Sequence, residues 1–71
     1  MAVEIRAHIT GNVWKILVKP GDAVKAGDAV VILESMKMEI PIEVEAGGVV
    51  SAIPIALGQA VTEGDVVLIL G

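Results

Sequence analysis

The chain has 71 residues, no cysteine, and a formal net charge of −4 from nine acidic and five basic side chains. That excludes a disulfide framework, a cysteine-based metal site and a thiol nucleophile, and the lack of a basic patch to release phosphate counterions argues against a nucleic-acid partner. Residues are 55% hydrophobic but only 1% aromatic, so small aliphatic side chains must carry the stability of a chain that buries only about 60% of its unfolded surface.

In chain order, residues 4–9 form a first strand with Ile5, Ala7 and Ile9 on one face and Arg6 and His8 on the other. His8 is the only histidine, and with no second ligand or nucleophile beside it we read it as a solvated strand residue. Gly11-Asn12 is predicted as a turn and 13–18 as the second strand. Within it the change of parity between Val13 and Ile16 predicts a bulge or an irregular start. Trp14 is expected to be a partly buried packing residue. Lys19-Pro20-Gly21-Asp22 is a turn with proline setting φ and glycine accepting a positive one. Val24 makes a short strand, and Ala26-Gly27-Asp28 turns again. Residues 30–34 are apolar on both faces, which predicts a central strand. Residues 39–45 alternate, with Ile40, Ile42 and Val44 inward and Glu39, Pro41, Glu43 and Glu45 outward. Pro41 cannot donate to a ladder and predicts an edge. Ala46-Gly47-Gly48 turns the chain, 49–55 is a strand with Pro54 near its end, Gly58 and Gly64-Asp65 are turns, and 66–70 closes the chain. No amphipathic helix of useful length is present. The pattern predicts an all-β chain forming one domain over 1–71. No apolar run could span a bilayer and no signal-peptide pattern opens the sequence, so a cytoplasmic protein without a membrane partner is expected. The initial methionine favours a free-standing protein.

Sliding the chain on itself by 37 positions lays 11–34 onto 48–71 without a gap, with 11 of 24 positions identical. The identities are turn glycines and core aliphatics, such as Gly21/Gly58, Gly27/Gly64, Val30/Val67 and Leu33/Leu70. Two copies are too few for a solenoid, which needs at least about three. They predict two half-domains related by a pseudo-two-fold axis, each burying the apolar face of the other.

Between the halves lies Glu34-Ser35-Met36-Lys37-Met38-Glu39. The chain must reverse here, yet it has none of the glycine, asparagine or aspartate that tight hairpins use to reach positive φ. A turn that breaks local preference points to function. The repeat places Lys37 at one end of the sandwich and the termini at the other. Exposed methionines on both sides of Lys37 are unusual for a turn. Catalysis by the lysine would need a desolvated pocket, which a tip does not offer, and no acid–base pair accompanies it. The composition leaves a lysine that another enzyme modifies.

The segment Glu34 to Glu39 resembles the biotin-attachment motif (Ala/Ser-Met-Lys-Met) of biotin carboxyl carrier domains. The resemblance covers essentially the whole chain and is nearest to the short, single-domain biotin carboxyl carrier, or biotin/lipoyl attachment, proteins of bacteria. It implies a flattened barrel-sandwich of two four-stranded antiparallel sheets with the modified lysine on a tight hairpin. It implies covalent biotin on Lys37, joined by a biotin protein ligase that recognises Met36 and Met38, with Glu34, Ser35 and Glu39 flanking the motif. It implies a biotin carboxylase that loads the ureido ring using ATP and bicarbonate, and a carboxyltransferase that unloads it. The carrier itself would have no catalytic residue and no metal, because the chemistry belongs to the cofactor and the partner enzymes.

Ser35 stands where many larger carriers have alanine, a feature of the short proteins. The ungapped repeat leaves no room for the protruding thumb of some acetyl-CoA carboxylase carriers, which argues against membership in that complex. One rival is a lipoyl carrier of an acyl-transfer complex, although that family usually flanks its lysine with Asp and Ala. A second rival, from another class, is a module that docks a partner directly through the Met-Lys-Met tip.

Overall fold

Four turns of one design decide where most of the reversals fall. In each, the third residue is a glycine in the left-handed region: Gly21 (φ 97°), Gly27 (90°), Gly58 (82°) and Gly64 (94°). This region is open to glycine and costly for residues with a Cβ. The fourth residue then closes the turn twice. Its N–H donates to the first residue's carbonyl, as from Asp28 to Lys25 at 3.0 Å and from Asp65 to Thr62 at 2.9 Å. Its side chain accepts the first residue's N–H: Asp22 Oδ2 from Lys19 (3.0 Å), Asp28 Oδ2 from Lys25 (2.8 Å), Gln59 Oε1 from Ala56 (3.0 Å) and Asp65 Oδ2 from Thr62 (2.8 Å).

The computed structural model describes residues 2–71. Between the turns run eight strands: β1 (Val3–Arg6), β2 (Gly11–Ile16), β3 (Ala23–Val24), β4 (Ala29–Ser35), β5 (Met38–Glu43), β6 (Gly48–Ala52), β7 (Ala60–Val61) and β8 (Val66–Leu70). They form two four-stranded sheets, ordered β1-β8-β6-β3 and β5-β4-β2-β7, with antiparallel pairing throughout. This is the expected all-β flattened barrel-sandwich, with no helix among the described residues. Its core is aliphatic, built on Val30, Val31 and Leu33 of β4 and Val67, Leu68 and Leu70 of β8, with Val13, Ile42, Val44, Val50 and Val61 around them. No polar side chain is buried among the described residues, so nothing in the interior needs a partner.

Backbone bonds that extend the strand ladders into the glycine turns recur at the interval found in the sequence. Val44 N–H donates to Asp28 O (3.0 Å) and Gly27 N–H to Val44 O (2.8 Å). Thirty-seven positions away, Ala7 N–H donates to Asp65 O (2.8 Å) and Gly64 N–H to Ala7 O (2.8 Å). Val50 with Gly21 and Asp22, and Val13 with Gly58 and Gln59, repeat the same exchange, all at 2.8 Å.

Several expectations hold in detail. β4 lies between β5 and β2, and β5 with Pro41 is an edge strand. The register of β2 on β4 shifts between Val13 and Lys15, which is the bulge foreseen from the parity change. Others need correction. Gly11-Asn12 is not a turn but the start of β2, paired to Val61 and Ala60. β1 stops at Arg6 rather than 9, and Ala7 carries the pairing one step further, onto Asp65 and Gly64 of the turn before β8. Gly48 opens β6, which ends at Ala52 instead of 55, two residues before Pro54 removes a donor. β7 was not foreseen as a strand; it copies β3 at the repeat interval. Trp14 is partly buried as expected, 47% exposed, and occupies the bulge, with the Lys15 ammonium 5.9 Å from its ring centroid.

Burial predicts a sharp contrast between two identical substitutions. Leu33 is fully buried and Leu57 is 66% exposed. Leu33→Ala should cost about 2–5 kcal/mol, enough to unfold much of a small domain, whereas Leu57→Ala should stay within roughly 0.5 kcal/mol. Urea unfolding of the two variants measures the difference.

Candidate functional site

β4 and β5 are joined by two residues. Ser35 pairs with Met38, and between them Met36 (φ 52°) and Lys37 (φ 64°) are both left-handed. Positive φ at both central positions is the signature of a type I′ hairpin, whose twist matches that of the strands it joins. Asn-Gly normally occupies it, and a residue with a Cβ in this region costs roughly 1–2 kcal/mol. Among the described residues these are the two non-glycine positions with positive φ. The strain foreseen from the missing turn residues is therefore present, and it is centred on the lysine.

The ladder below holds the turn in place. Glu34 pairs with Glu39, Leu33 with Ile40, Ile32 with Pro41 and Val31 with Ile42, and Val31, Leu33 and Ile42 are locked in the core. Behind the hairpin, β2 begins at Gly11 against the end of β4. A Cβ on Gly11 would lie 2.6 Å from the Glu34 carbonyl oxygen and 3.4 Å from Ser35 Cβ. Only a glycine lets β2 approach this closely, so Gly11 belongs to the support of the tip. Sequence reasoning missed that role by taking the glycine as a turn; in a strand it marks close backbone contact.

Lys37 is exposed, and among the described residues it enters neither a hydrogen bond nor an ion pair; the ion pair there is Arg6 to Glu4 at 2.7 Å. Met36 is 92% and Met38 64% exposed, as expected from their positions. One rung down, the Glu34 and Glu39 carboxylates sit directly opposite each other, an arrangement that costs a sheet up to about 1 kcal/mol. An open groove of about 640 Å³ lies elsewhere, lined by β1, residues 45–48 and Gly71, and none of Met36, Lys37 and Met38 borders it. His8 is exposed, and among the described residues no group of His, Asp or Glu could hold a metal ion. The structure thus brings Glu34, Ser35, Met36, Lys37, Met38 and Glu39 together on one hairpin. It offers a primary amine on a rigid stalk, flanked by uncovered thioethers.

Such a site defines a class: a small β-sandwich that holds an exposed lysine on a strained two-residue hairpin. The family model described as "Biotin-requiring enzyme" matches residues 2–70. The chain belongs to the biotin/lipoyl attachment family. It is 39% identical over 70 residues to the "Biotinylated protein TB7.3 homolog" of Mycobacterium leprae, covering 99% of both chains. It is 49% identical over 64 residues to the "Biotin/lipoyl attachment protein" of Bacillus subtilis, covering 90% of this chain and 88% of that one. Among solved structures, the Kluyveromyces lactis urea carboxylase contains a region that superposes on the whole chain with a TM-score of 0.94 at 35% identity, although the chain spans only 6% of that enzyme. The lipoyl domain of the 2-oxoglutarate dehydrogenase complex from Azotobacter vinelandii matches 87% of this chain and 78% of its own with a TM-score of 0.73 at 32% identity. The fold is shared by biotin and lipoyl carriers, and the expectation of a carrier rather than an enzyme agrees with the family.

Relieving the strain should separate stability from function. Met36→Asn combined with Lys37→Gly installs the residues a type I′ turn prefers and should raise stability by about 1–3 kcal/mol, read as a higher melting temperature, while removing the amine. Gly11→Ala should act in the opposite sense, since its Cβ meets backbone. Circular dichroism melts of the two variants check both signs.

Proposed function

We propose that the Lys37 amine is the point of covalent biotin attachment and that residues 1–71 form one biotinyl domain with repeat halves at about 11–34 and 48–71. The observation that carries this reading is the strained Met36-Lys37 turn: two non-glycine residues with φ of 52° and 64°, on a stalk whose tip does not border the groove beside β1. Biotin requires a primary amine free to form an amide, and an exposed, unpaired Lys37 fits that requirement. The bound group supplies a ring that carries a carboxyl group between active sites. The chain's own residues contribute presentation. β4 and β5 hold the amine clear of the sandwich, and Met36 and Met38 offer apolar contact to a biotin protein ligase. The Glu34 and Glu39 carboxylates give the foot of the hairpin a negative field that persists after acylation removes the Lys37 charge.

The role is that of a carboxyl carrier in a biotin-dependent carboxylase, with a biotin carboxylase and a carboxyltransferase as partners. A single tether that reaches both sites raises the effective concentration of the carried group at each. The resemblance to a region of urea carboxylase supports partners of this kind, and the cytoplasm is part of the same proposal. The match to a lipoyl domain keeps lipoylation as the second reading, and the two methionines favour biotin over it.

Intact mass after incubation with a biotin protein ligase, biotin and ATP tests the proposal. The wild type should gain one biotinyl group and Lys37→Arg none. A lipoyl group on Lys37 under lipoylation conditions, with no biotin under the first, would move the protein to acyl-transfer chemistry. Replacing Met36 and Met38 together with alanine should abolish labelling and leave the melting temperature within a few degrees of wild type, because neither side chain contributes to the core. Normal labelling of that variant would refute the recognition role. Partner binding that survives Lys37→Arg, without any modification, would favour a docking module.

A further inference from the structure

The two methionines have a second chemical property that presentation does not use. Met36 is 92% exposed and Met38 64% exposed, and positive φ at both 36 and 37 holds this end of the hairpin in one conformation with neither thioether covered. The chain has no cysteine and no tyrosine. Among the described residues these sulfurs are therefore the most accessible soft nucleophiles for a two-electron oxidant, with the half-exposed Trp14 indole a slower target. Oxidation elsewhere in a protein commonly disrupts a core. Here it would not, because the buried cluster contains no methionine.

We infer that Met36 and Met38 form a reversible oxidation site that switches off acylation of Lys37. The inference rests on the reading of Lys37 as the attachment residue. The reaction is oxygen transfer from a hydroperoxide: a sulfur lone pair attacks the distal peroxide oxygen, the O–O bond breaks, an S–O bond forms, and the peroxide leaves as water or an alcohol after proton transfer. Sulfur is oxidised from thioether to sulfoxide and the peroxide is reduced, so no further reactant is needed. The product is polar, chiral and a strong hydrogen-bond acceptor on each side of the amine. An apolar surface offered to a modifying enzyme becomes one that must be desolvated at a cost. Methionine sulfoxide reductases reverse the change, which makes the tip a switch and leaves the fold untouched. Acylated and unacylated chains would differ in consequence, since oxidation blocks loading and does not cleave an amide already formed.

The test treats unbiotinylated protein with hydrogen peroxide, maps oxygen by peptide mass, and measures the rate of biotin transfer by a biotin protein ligase before and after. Oxygen is expected first on Met36 and then on Met38, with an unchanged circular dichroism melt and labelling slower by about tenfold or more, the size implied by losing a buried methionine contact. Methionine sulfoxide reductases A and B together should restore the rate, which separates the effect from irreversible Trp14 oxidation. A Met36→Leu, Met38→Leu variant provides its own reference: whatever its initial rate, peroxide should not change it. Unchanged labelling of wild type carrying both sulfoxides would overturn the inference, as would a loss that the reductases do not reverse. Absence of labelling before peroxide would instead sink the assignment of Lys37, so the two failures are distinguishable.

Discussion

The structure depends on one backbone constraint: residues 36 and 37 must both hold positive φ without a glycine between them. Local preference opposes this by about 1–3 kcal/mol per residue, so the rest of the fold has to impose it. It does so through the strand with the deepest burial. β4 contributes Val30, Val31 and Leu33, all at 0% exposure, and is hydrogen-bonded on both sides. With β4 immobile and β5 in fixed register upon it, the distance the chain must close at Ser35 and Met38 leaves room for two residues only. A two-residue connection between twisted antiparallel strands adopts the primed geometry whatever its side chains prefer. Core packing at the middle of the hairpin is thereby converted into a defined position for an amine at its end.

This arrangement explains why the turn was legible as an anomaly before its geometry was known. Val30 to Leu33 announced a buried strand, Ile40, Ile42 and Val44 announced a partner, and the residues between them contained nothing that normally turns. The conflict itself located the strained turn. The four Gly-containing turns were equally plain, because glycine followed by Asp or Gln is a local chemical device that needs no tertiary help. What could not be read were the features set by the other half of the molecule. Gly11 has the same composition-level signature as a turn glycine, and only the Glu34 carbonyl 2.6 Å from its missing Cβ shows that it is a contact glycine. β7 is two residues long, too short to give a period, and exists because β2 offers it an edge. The end of β1 follows from its partner: Ala7 meets Gly64 and Asp65 of the turn that starts β8, a contact across 57 or more positions that no local pattern records.

The recurrence of the ladder-end bonds at a spacing of 37 gives the molecule two nearly equivalent halves, and the differences between the copies show what the shared backbone path does not require. Val13 and Val50, Gly27 and Gly64, and Leu33 and Leu70 keep the shared backbone path. The copies differ on the surface, with Trp14 where the other copy has Ser51 and Lys15 where it has Ala52, and at one fully buried position, where Val31 corresponds to Leu68. All four lysines fall between positions 15 and 37, and from 38 onward every charged residue is acidic. Lys37 therefore stands at a boundary between a lysine-bearing half and an acidic one. The carboxylates of Glu34 and Glu39 face each other at that boundary although facing carboxylates weaken a sheet.

Rigidity and exposure are usually in tension, because the contacts that stiffen a segment also cover it. The hairpin resolves this by separating the two along its length. Leu33 and Ile42 are stiff because they are buried, and Met36 is 92% exposed because it lies beyond the last rung that could cover it. The left-handed turn lets the transition occur over two residues, so stiffness persists almost to the amine. A longer glycine-rich loop would relieve the strain and expose the lysine equally well, but it would have to lose its freedom each time a partner bound it, at roughly 1–2 kcal/mol per ordered residue. A carrier must be recognised in turn by a ligase and by the enzymes it serves, and that ordering cost would recur at every encounter. Strain held permanently in the folded state is the lower cost for a site that is used repeatedly, which is the physical reason for placing Met-Lys where Asn-Gly would fold more easily.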